Sequence, residues 1–594
     1  MRLEFKAELR RRLGNVALGK EPADLIIKGA KLLNVYTGEI LENQQVVIAG
    51  GRIAYVGADG DFPAGSQTKV IDVDGQTVIP GFIDGHAHMD SLLKVDEFIR
   101  LSLPGGTTTV ITDCSVISNA MGLEGVLIFL EQIAGQPQRI LITAPVISFL
   151  WSDRGAGKKA ITLSEMIALL DRPEVVGLGE IYWANLLNEE IGKDLVELIS
   201  AAIARGKTVE GHGAGARNRK LAAMAAHGAD SCHEPITAEE VLERMRLGLA
   251  AMIREGSIRR ELPAVIPPLS KTALDFRRAV LVSDGIWPHE LARYGHMDYI
   301  VQRAVDLGLD PVRAIQMATL NAAEHFHLEG DLGGIAPGKC ADLVVIPDLK
   351  TIRAQLVVCR GRVVAGKGKL LAEPRAGAYP EKAYQNIKLA PVEPGFFRLP
   401  ADSPEVTVRA MEVVTDIVNR ETALTLPVVD GAVSITGQDD LVKASVIEQH
   451  GGSGQRSLGF LKGFGLRRGA LACSISFDEG NLIVVGKDDR DMAGAVNRIR
   501  ELNGGLVFYG EGRAIREIPL PVFGKMSNLS GPEAAAAHGS LLDALKAAGC
   551  RSENPLLTLL TITFTAIPSL RLLSRGYWLS RESRVVDVFV NNTY

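Results

Sequence analysis

The spacing of hydrophobic and polar positions changes along the chain, and each change predicts a different kind of element. Glu4 through Leu13 has the spacing of a charged amphipathic helix, expected on the outside of the protein or on a partner subunit. Residues 25–80 contain short β-branched and apolar runs separated by glycine turns such as Gly50-Gly51. This pattern is typical of hairpins and predicts a small β domain.

Residues 81–330 alternate strand-like with helix-like segments, which predicts an α/β fold built as a (β/α)₈ barrel. An open, doubly wound sheet would also alternate, but it would not explain so many ligand-type residues at strand ends. The predicted strands are Thr107–Thr112, Arg139–Thr143, Val175–Glu180, Thr208–His212 and Ala279–Asp284. The predicted helices are Leu163–Leu170, Asp194–Ala204, Ala238–Arg254 and His296–Leu307.

The strand pattern returns after residue 330, in Gly333–Ile346 and in the hairpin Leu356–Val364. These strands are expected to complete the first β domain, which makes it a discontinuous small β-sandwich. A linker rich in Gly, Pro and Lys follows at residues 366–395, and then an α+β domain. The predicted organisation is 1–80 for the arm and first part of the β domain, 81–330 for the barrel, 331–375 for the second part of the β domain, and 376–594 for the C-terminal domain.

Composition excludes several classes of protein. The chain of 594 residues has 46% hydrophobic and 23% charged residues and a net charge of −5, as expected for a soluble globular protein of two to four domains. The sequence contains no long basic run, so a nucleic-acid partner is not expected. The six cysteines are scattered without a C-x-x-C pair, which indicates reduced, buried thiols.

The segments that could direct the chain to a membrane do not have the required patterns. The N-terminus mixes charges and does not resemble a signal peptide. The apolar stretch Leu556–Ile567 is too short to span a bilayer, which takes about 20 residues, and is expected to form core strands or a buried segment. The protein is therefore expected to be cytoplasmic, with no membrane partner.

Candidate chemistry begins with a His-x-His pair at the end of an apolar strand. His86 and His88 are alternate residues of a strand, so their side chains point to the same side and can bind one metal ion. Asp84 and Asp90 are close enough to orient them or to add charge. A chance polar pair at a strand end is the alternative.

Four further polar residues close or follow predicted strands: Glu180, His212, His233 and Asp284. Each has a structural alternative, namely an ion-paired Glu180, satisfied structural histidines, and an Asp284 that caps a turn or helix. Together with His86 and His88 they supply four histidines and two acids, which is enough for two divalent cations bridged by Glu180. Nitrogen and oxygen ligands without thiolates suit Mn²⁺, Fe²⁺ or Zn²⁺.

Two acids are candidates for proton transfer. Asp284 could bind one ion, take the proton of an attacking water molecule and return it to the leaving group. Glu234, next to His233, could help protonate a ring nitrogen of the substrate, or could simply be an acid at a helix start. His227 and His325 are expected at the surface or in helix packing, and His296 at a helix start or in the pocket.

The segments Pro80–His88, Gly177–Glu180, Ala318–Ala323 and Ile335–Leu343 together resemble the amidohydrolase superfamily. More narrowly, nearly the whole chain is similar to bacterial adenine deaminases, including Arg246–Ser257, Glu448–Gly454, Gly459–Gly465, Met492–Arg498 and Pro519–Pro521. The resemblance implies hydrolysis of adenine to hypoxanthine and ammonia at a binuclear centre. It implies the metal ligands His86, His88, Glu180, His212, His233 and Asp284, with Mn²⁺ as the expected ion and Fe²⁺ or Zn²⁺ as alternatives.

The chain departs from the usual pattern of that family at several positions. Asp90 stands where glutamate is usual, and Asp113-Cys114-Ser115-Val116 replaces an Asp-Pro-His-Glu segment. Phe477–Asn481 replaces His-Asp-Ser-His-Asn, and Asp284-Gly285 replaces a pair of aspartates. These positions are expected to support the metal ligands or to contact substrate, and a site built to hydrogen-bond a purine should bind it poorly when such groups are lost.

The function predicted from these observations is metal-dependent hydrolytic deamination of adenine or a related aminopurine or amino-heterocycle. Hydrolysis of a cyclic amide or another amide at the same site is one alternative, and a catalytically silent relative is another. The H-x-E…P-C-x-x-C signature of zinc nucleobase deaminases is absent from the sequence. A small-molecule substrate is the expected partner, and the N-terminal arm suggests a homo-oligomer, a dimer or larger.

Overall fold

The N-terminal helix packs on its own β-sheet. The structure is a computed structural model that describes residues 5–58, 60–150, 161–567 and 569–590. The helix spans Ala7–Ala17, three to four residues later than the sequence pattern suggests, and Glu4 lies outside the described residues. Its buried Leu13 and Val16 contact an apolar cluster on the first strands of the β domain. The arm is thus part of the β domain's core.

Two distant segments of the chain build one β-sheet. The segments join where Thr77–Pro80 pairs antiparallel with Leu343–Ile346, placing Val78 opposite Val345. An apolar cluster drawn from both segments fills this domain. In the described chain, the sheet comprises Leu25–Asn34, Glu39–Ala49, Arg52–Ala58, Lys69–Asp72, Thr77–Pro80, Leu343–Ile346, Leu356–Cys359, Arg362–Gly366 and Lys369–Leu370.

Between these segments the described chain forms the predicted (β/α)₈ barrel. Its strands are β1 (Phe82–Ala87), β2 (Thr107–Thr112), β3 (Arg139–Pro145), β4 (Val175–Tyr182), β5 (Thr208–His212), β6 (Ser231–Cys232), β7 (Ala250–Arg254) and β8 (Ala279–Val282). Strands β1 to β5 form one parallel sheet and β6 to β8 another. A hydrogen bond from Asp230 N to Val209 O at 2.8 Å connects β5 with β6, and the parallel bridge between Ala87 and Asp284 connects β1 with β8.

Helices cover the outside of the barrel, and one of the predicted helices is wrong. Instead of a continuous helix over Ala238–Arg254, the helix ends at Arg246 and the chain enters β7 at Ala250. Gly248 has a φ of +83°, which glycine adopts without strain at the end of a helix. The prediction failed because a short apolar run such as Ala250–Ile253 fits a buried strand as well as a helix.

The barrel helices otherwise follow the alternation of the sequence. The predicted Asp194–Ala204 begins earlier, at Glu189. Among the described helices, Ser115–Ile133 has the length and apolar composition to cross a membrane, and 67% of its most apolar window is buried in the protein. The helices are Val95–Ser102, Ser115–Ile133, Val146–Leu150, Leu163–Leu170, Trp183–Leu186, Glu189–Ala204, Arg219–Ala226, Ala238–Arg246, Leu262–Leu269, Pro288–Tyr294, Met297–Asp306, Pro311–Met317 and Leu320–His325, with a 3₁₀ turn at Leu103–Gly105.

The C-terminal part is a mixed α+β structure around a large, mostly antiparallel sheet. In sheet order, the described strands are Ala432–Val433, Asn419–Val429, Glu405–Val413, Arg456–Lys462, Leu441–Ile447, Leu482–Gly486, Ala470–Cys473, Gly505–Gly510 and Arg513–Pro519. A smaller sheet contains Leu570–Leu573, Gly576–Leu579 and Arg584–Val586. The helices are Asp489–Leu502, Gly531–Ala547 and Pro555–Thr561, with 3₁₀ turns at Glu381–Tyr384 and Pro394–Phe397.

The apolar stretch Leu556–Ile567 is buried as expected, but it starts as a helix instead of a strand. Asn554 caps this helix, because its side-chain oxygen accepts a hydrogen bond from Leu557 N at 3.2 Å. Pro555 occupies the first helical turn, where a missing N–H costs nothing. The helix lies over the mouth of the barrel, where its side chains reach the candidate site.

Candidate metal centre

The barrel brings the predicted site residues together at the carboxyl ends of its strands. Each position is set by a short apolar strand that delivers its last polar residue to the same end of the barrel. His86 lies in β1 and His88 just after it, Glu180 lies in β4, His212 ends β5, His233 follows β6, and Asp284 follows β8. All six are buried except His88, whose side chain is 18% exposed.

One group of donor atoms forms around the His-x-His pair. Glu180 Oε1 lies 3.4 Å from His86 Nε2 and 3.0 Å from His88 Nε2. Asp284 Oδ1 lies 3.5 Å from His86 Nε2 and 3.3 Å from His88 Nε2. Two imidazole nitrogens and two carboxylate oxygens therefore converge on one small volume.

A second group shares Glu180 with the first. Glu180 Oε2 lies 3.0 Å from His212 Nδ1 and 3.5 Å from His233 Nε2, and these two nitrogens are 2.9 Å apart. His86, His88 and Glu180 form one candidate cation site, and Glu180, His212 and His233 form another. Because the two oxygens of Glu180 face different histidine pairs, this carboxylate is placed to bridge two ions.

The chemistry of these donors fits divalent cations. Within the described structure, His86 Nε2 is buried without a hydrogen-bond partner, although it points at two carboxylates. Imidazole and carboxylate ligands suit Mn²⁺, Fe²⁺ or Zn²⁺. All six cysteines belong to the described chain and are buried and free; Cys114 and Cys232 lie near the barrel end, but neither lines the cavity.

Electrostatics keeps both carboxylates in the charged form that a cation needs. Burial alone would raise the pKa of Glu180, but the charge of His233 and the hydrogen bond with His212 hold it well below its usual range. Burial opposes ionisation of Asp284 in the same way, and its contacts with His86 and His88 and the charge of Arg254 outweigh it, so its pKa also lies well below the usual range.

The histidines differ in how they hold a proton. Burial would lower the pKa of His86, but Asp284 and Glu180 raise it to about 9. Burial and the nearby charge of His86 hold the pKa of His233 well below its usual range. A histidine binds a metal ion in its neutral form, so a proton and a cation compete for His86.

A cavity lies above these donors. Its floor is polar and includes His88, Glu180 and Asp284. Much of its wall comes from the C-terminal part of the chain, so that part contributes directly to the candidate site. The C-terminal lining residues are Ile417, Ser476, Phe477, Asp478, Leu557, Thr561, Phe564 and Ile567.

The departures from the usual adenine deaminase pattern lie in or beside this cavity. Ser115 and Phe477 line it, and Gly285 lines the adjoining space next to Trp287. Asp90 lies behind His88, where burial and the charge of Asp113 raise its pKa to about 7. The departures therefore change the walls of the cavity and the residues behind the donors. The six donor residues themselves are unchanged.

The loop that carries Phe477 is held in position by buried hydrogen bonds. Tyr182 OH donates to Asp478 Oδ1 at 2.8 Å, and Thr565 N donates to Asp478 Oδ2 at 2.6 Å. Lys525 Nζ and Gln449 Nε2 both donate to Gly480 O at 2.7 Å. The loop formed by residues 474–481, named the roof loop below, is thus a fixed wall above the donors.

The remaining predicted residues take structural positions. Asp84 contacts His296 and Ser283 below the site, with 3.2 Å between His296 Nε2 and Asp84 Oδ2. His296 is the residue before helix Met297–Asp306, so the helix-start alternative is correct. His325 is buried and pairs with Glu210 at 2.9 Å, as expected for helix packing. His227 bonds to its own helix at Ala223 O.

The sequence patterns missed Arg254, which ends β7. Its guanidinium bonds to Glu234 Oε1, and Nη1 lies 3.1 Å from Asp284 Oδ2. Glu234 Oε1 also lies 3.7 Å from His233 Nε2 and 3.8 Å from His212 Nδ1. Arg254, like Glu180, is a charged residue at the end of an apolar run, and this pattern could have revealed it. The incorrect prediction of a helix over Ala238–Arg254 hid the pattern.

A (β/α)₈ barrel with histidine and carboxylate donors for two cations at its strand ends defines a metal-dependent hydrolase. Comparison of the chain with known families supports this class. Residues 77–364 match the amidohydrolase family, and residues 416–583 match the adenine deaminase C-terminal domain. The chain belongs to the adenine deaminase family of amidohydrolases and is a hydrolase that acts on carbon–nitrogen bonds.

Similar proteins match it over almost their whole length. The adenine deaminase of Moorella thermoacetica is 40% identical over 592 residues, which is 98% of each chain. The adenine deaminase of Clostridium botulinum strain 657 is 38% identical over 594 residues, again 98% of each chain. Among solved structures, a molinate hydrolase has 19% identity and a TM-score of 0.46, covering 61% of this chain and 98% of that chain.

Proposed function

We propose that the protein hydrolyses adenine, or a closely related amino-heterocycle, to the oxo product and ammonia. The observation that carries the proposal is the donor set that shares Glu180 at the floor of a cavity. The full-length relatives named adenine deaminase support adenine as the substrate. In this reaction a water oxygen bonds to the ring carbon, the C–N bond breaks, and the amino group leaves with an added proton.

The proposed ligands are His86, His88, Glu180, His212, His233 and Asp284. When bound, the two cations supply Lewis acidity that makes a water molecule a good nucleophile near neutral pH. Glu180 would help to hold both cations, because its two oxygens face different histidine pairs. Mn²⁺ is the proposed ion, with Fe²⁺ or Zn²⁺ as alternatives, because the donors are nitrogen and oxygen only.

Asp284 is the proposed proton carrier. Its Oδ1 faces the donor group of His86 and His88, and the carboxylate lines the cavity where the substrate would lie. A carboxylate held in its charged form can accept the proton of the attacking water and pass it to the leaving amino group. The other proton of the water molecule ends on a ring nitrogen of the oxo product, and Glu234 is the proposed group that helps to protonate that nitrogen.

Glu234 is the proposed contact to a ring nitrogen of the substrate. Its carboxylate lines the cavity beside His212 and His233. The apolar wall made by residues such as Phe477 and Phe564 excludes water from the face of a flat ring and supplies stacking area. A planar heterocycle with one polar edge toward the donors is the substrate shape that this cavity favours.

We also propose a cytoplasmic homo-oligomer that acts without a nucleic acid or membrane. Six free, buried cysteines are typical of a reducing compartment. The N-terminal helix packs on the sheet of its own chain, so it does not supply the contact between subunits. The proposed homo-oligomer would therefore form through other surfaces of the protein. Mass photometry of the purified protein would measure its oligomeric state directly.

Hydrolysis of a cyclic amide is a second candidate function. The observation that favours it is the change at the cavity wall, where Ser115 and Phe477 stand at positions that usually carry histidine in adenine deaminases. Fewer hydrogen-bond donors at the wall would weaken recognition of a purine. The intact set of six donor residues speaks against the alternative of a catalytically silent relative.

One experiment separates these candidates. The purified protein is loaded with Mn²⁺, and ammonia release is measured from adenine and from a panel of aminopurines and pterins. Ring opening of cyclic amides releases no ammonia and is followed separately by mass spectrometry of the product. We expect ammonia from adenine. Activity confined to another amine or to a cyclic amide would replace the proposed substrate. Bound metal without activity on any compound would contradict the deaminase proposal.

A further inference from the structure

Arg254 is a buried cation at the centre of three carboxylates. It ends β7, and its side chain is 2% exposed. One guanidinium nitrogen, Nη1, donates to Glu234 Oε1 and to Asp284 Oδ2, the latter at 3.1 Å. The other, Nη2, donates to Glu261 Oε1 at 3.4 Å. Carboxylates that follow β6, β7 and β8 are therefore connected through one side chain.

The contact with Asp284 determines which of its oxygens can face the donor histidines. Asp284 Oδ1 lies 3.5 Å from His86 and 3.3 Å from His88, while Oδ2 accepts the hydrogen bond from Arg254. With one oxygen engaged on each side, the carboxylate cannot rotate without losing a charge-assisted hydrogen bond. Arg254 thus fixes the orientation of the proposed proton carrier.

The same nitrogen fixes the proposed substrate contact. Glu234 Oε1 accepts from Arg254 Nη1 and lies 3.7 Å from His233 Nε2. Glu234 and Asp284 belong to loops after different strands, and their separation depends on Arg254. A planar guanidinium can hold two carboxylates in a defined geometry, whereas a lysine ammonium is a point charge on a flexible stem.

We propose that Arg254 is a positioning residue that holds Asp284 and Glu234 in one catalytic geometry. This inference rests on the proposed function of Asp284 and Glu234. Arg254 also lines the cavity, but its two terminal nitrogens, Nη1 and Nη2, donate to the three carboxylates. Its effect therefore passes through the two acids, and a small shift of either acid is expected to be costly for catalysis.

The test compares Arg254→Lys with a matched change of another buried arginine. Arg139→Lys alters an arginine that pairs with Asp342 near the start of β3, at the opposite end of the barrel. We expect Arg254→Lys to keep its fold and its bound Mn²⁺, and to lower kcat about 100-fold with little change in KM, as misplacement by about 1 Å can do. We expect Arg139→Lys to keep kcat within threefold.

A chemical rescue separates positioning from a structural role. Arg254→Ala leaves space for a free guanidinium ion, and millimolar guanidinium is expected to raise its kcat at least tenfold, whereas Na⁺ at the same concentration does not. Arg139→Ala should show no such rescue. A decrease in kcat of less than tenfold for Arg254→Lys, or loss of its fold or bound metal, would overturn the proposal. If Arg254→Ala does not fold, the result for Arg254→Lys decides alone.

A second readout does not depend on the substrate. With Co²⁺ in place of Mn²⁺, the visible absorption spectrum reports the geometry of the ligands, which include Asp284. We expect Arg254→Lys to shift this spectrum and Arg139→Lys to leave it unchanged. If the unaltered enzyme deaminates none of the tested compounds, the proposed function fails, and the spectrum still tests Arg254; an unchanged spectrum in Arg254→Lys would then overturn its positioning role.

Discussion

At the residue scale, Asp284 combines an unusual backbone with a charged side chain. Its φ is +62°, a conformation that Asp and Asn tolerate better than most residues. The backbone turn also closes the barrel, because His88 N donates to Asp284 O at 2.6 Å and Asp284 N donates to His86 O at 2.9 Å. One residue therefore contributes to the closure of the barrel and to the proposed chemistry.

Asp284→Asn separates these two contributions. Asparagine keeps the backbone conformation and the size of the side chain but cannot carry a proton as a carboxylate does. We expect kcat to fall about 10³-fold, within the range for loss of a general base, with an unchanged circular dichroism spectrum. Ammonia release and the spectrum are the measurements, with exposed Asp348→Asn as the control. A near-normal rate would remove Asp284 from the mechanism.

His86→Ala tests the ligand assignment without relying on activity. His86 Nε2 faces both Glu180 and Asp284, so its loss should lower the bound Mn²⁺ by about one ion per chain in a two-metal site. Metal content is measured by mass spectrometry after dialysis. His227→Ala, at the end of a barrel helix, should leave the metal content unchanged. Equal metal content in both variants would refute the role of His86.

At the element scale, the roof loop places a buried carboxyl group above the donors. Burial raises the pKa of Asp478 to about 6, against the opposing hydrogen bonds from Thr565 and Tyr182. The folded state therefore holds this proton more tightly than the unfolded state. Its contribution to stability is fully present below the ordinary carboxyl pKa of 3.8 and is lost as the pH rises through about 6.

Asp478→Asn removes this dependence on pH. Relative to the unaltered protein, the variant should gain about 2.4 kcal/mol of unfolding free energy between pH 4 and pH 7. The shift of the pKa from 3.8 to about 6 is worth about 3 kcal/mol in total, at 1.36 kcal/mol for each pKa unit, and part of it is already lost at pH 4. The variant is also expected to have a lower unfolding free energy by the same amount at every pH, because an amide nitrogen cannot accept the hydrogen bonds that Thr565 donates to Asp478. Urea unfolding at several pH values is the measurement, with exposed Asp275→Asn as the control. A difference that does not vary with pH would contradict the prediction.

At the scale of the whole molecule, the C-terminal part closes the mouth of the barrel through specific polar contacts. Asn554 Nδ2 donates to Ser257 O at 2.7 Å, and Trp287 Nε1 donates to Asn554 Oδ1 at 3.2 Å. The same side chain caps helix Pro555–Thr561, whose Leu557 and Thr561 line the cavity. The cap therefore connects the closure of the barrel to the shape of the site.

Asn554→Ala tests this connection. Loss of the cap and of the contacts with Ser257 and Trp287 should lower the unfolding free energy by about 3 kcal/mol and raise KM. Asp310→Ala is the matched control, because Asp310 caps another seven-residue helix that begins with proline but lies on the outside of the barrel. It should cost only about 1 kcal/mol and leave KM unchanged. Equal effects of both variants on stability and KM would disprove the connection.

The sequence by itself determined the barrel and the six residues that meet at its mouth. Each of these residues closes or follows a short apolar strand, and a chain that alternates strands with helices has few ways to arrange them. Local order along the chain therefore predicts that His86, His212 and Asp284 share one end of the barrel, even though nearly 200 residues separate the first and last.

The tertiary structure alone decided how the site is closed and held. The sequence pattern does not show that Phe564 lies against His212, with ring centroids 5.3 Å apart, or that Tyr182 bonds to Asp478. Arg254 was hidden because a short apolar run fits either a helix or a strand until its neighbours are known. Such contacts depend on packing between distant segments, whereas periodicity along the chain reports only the face that each element buries.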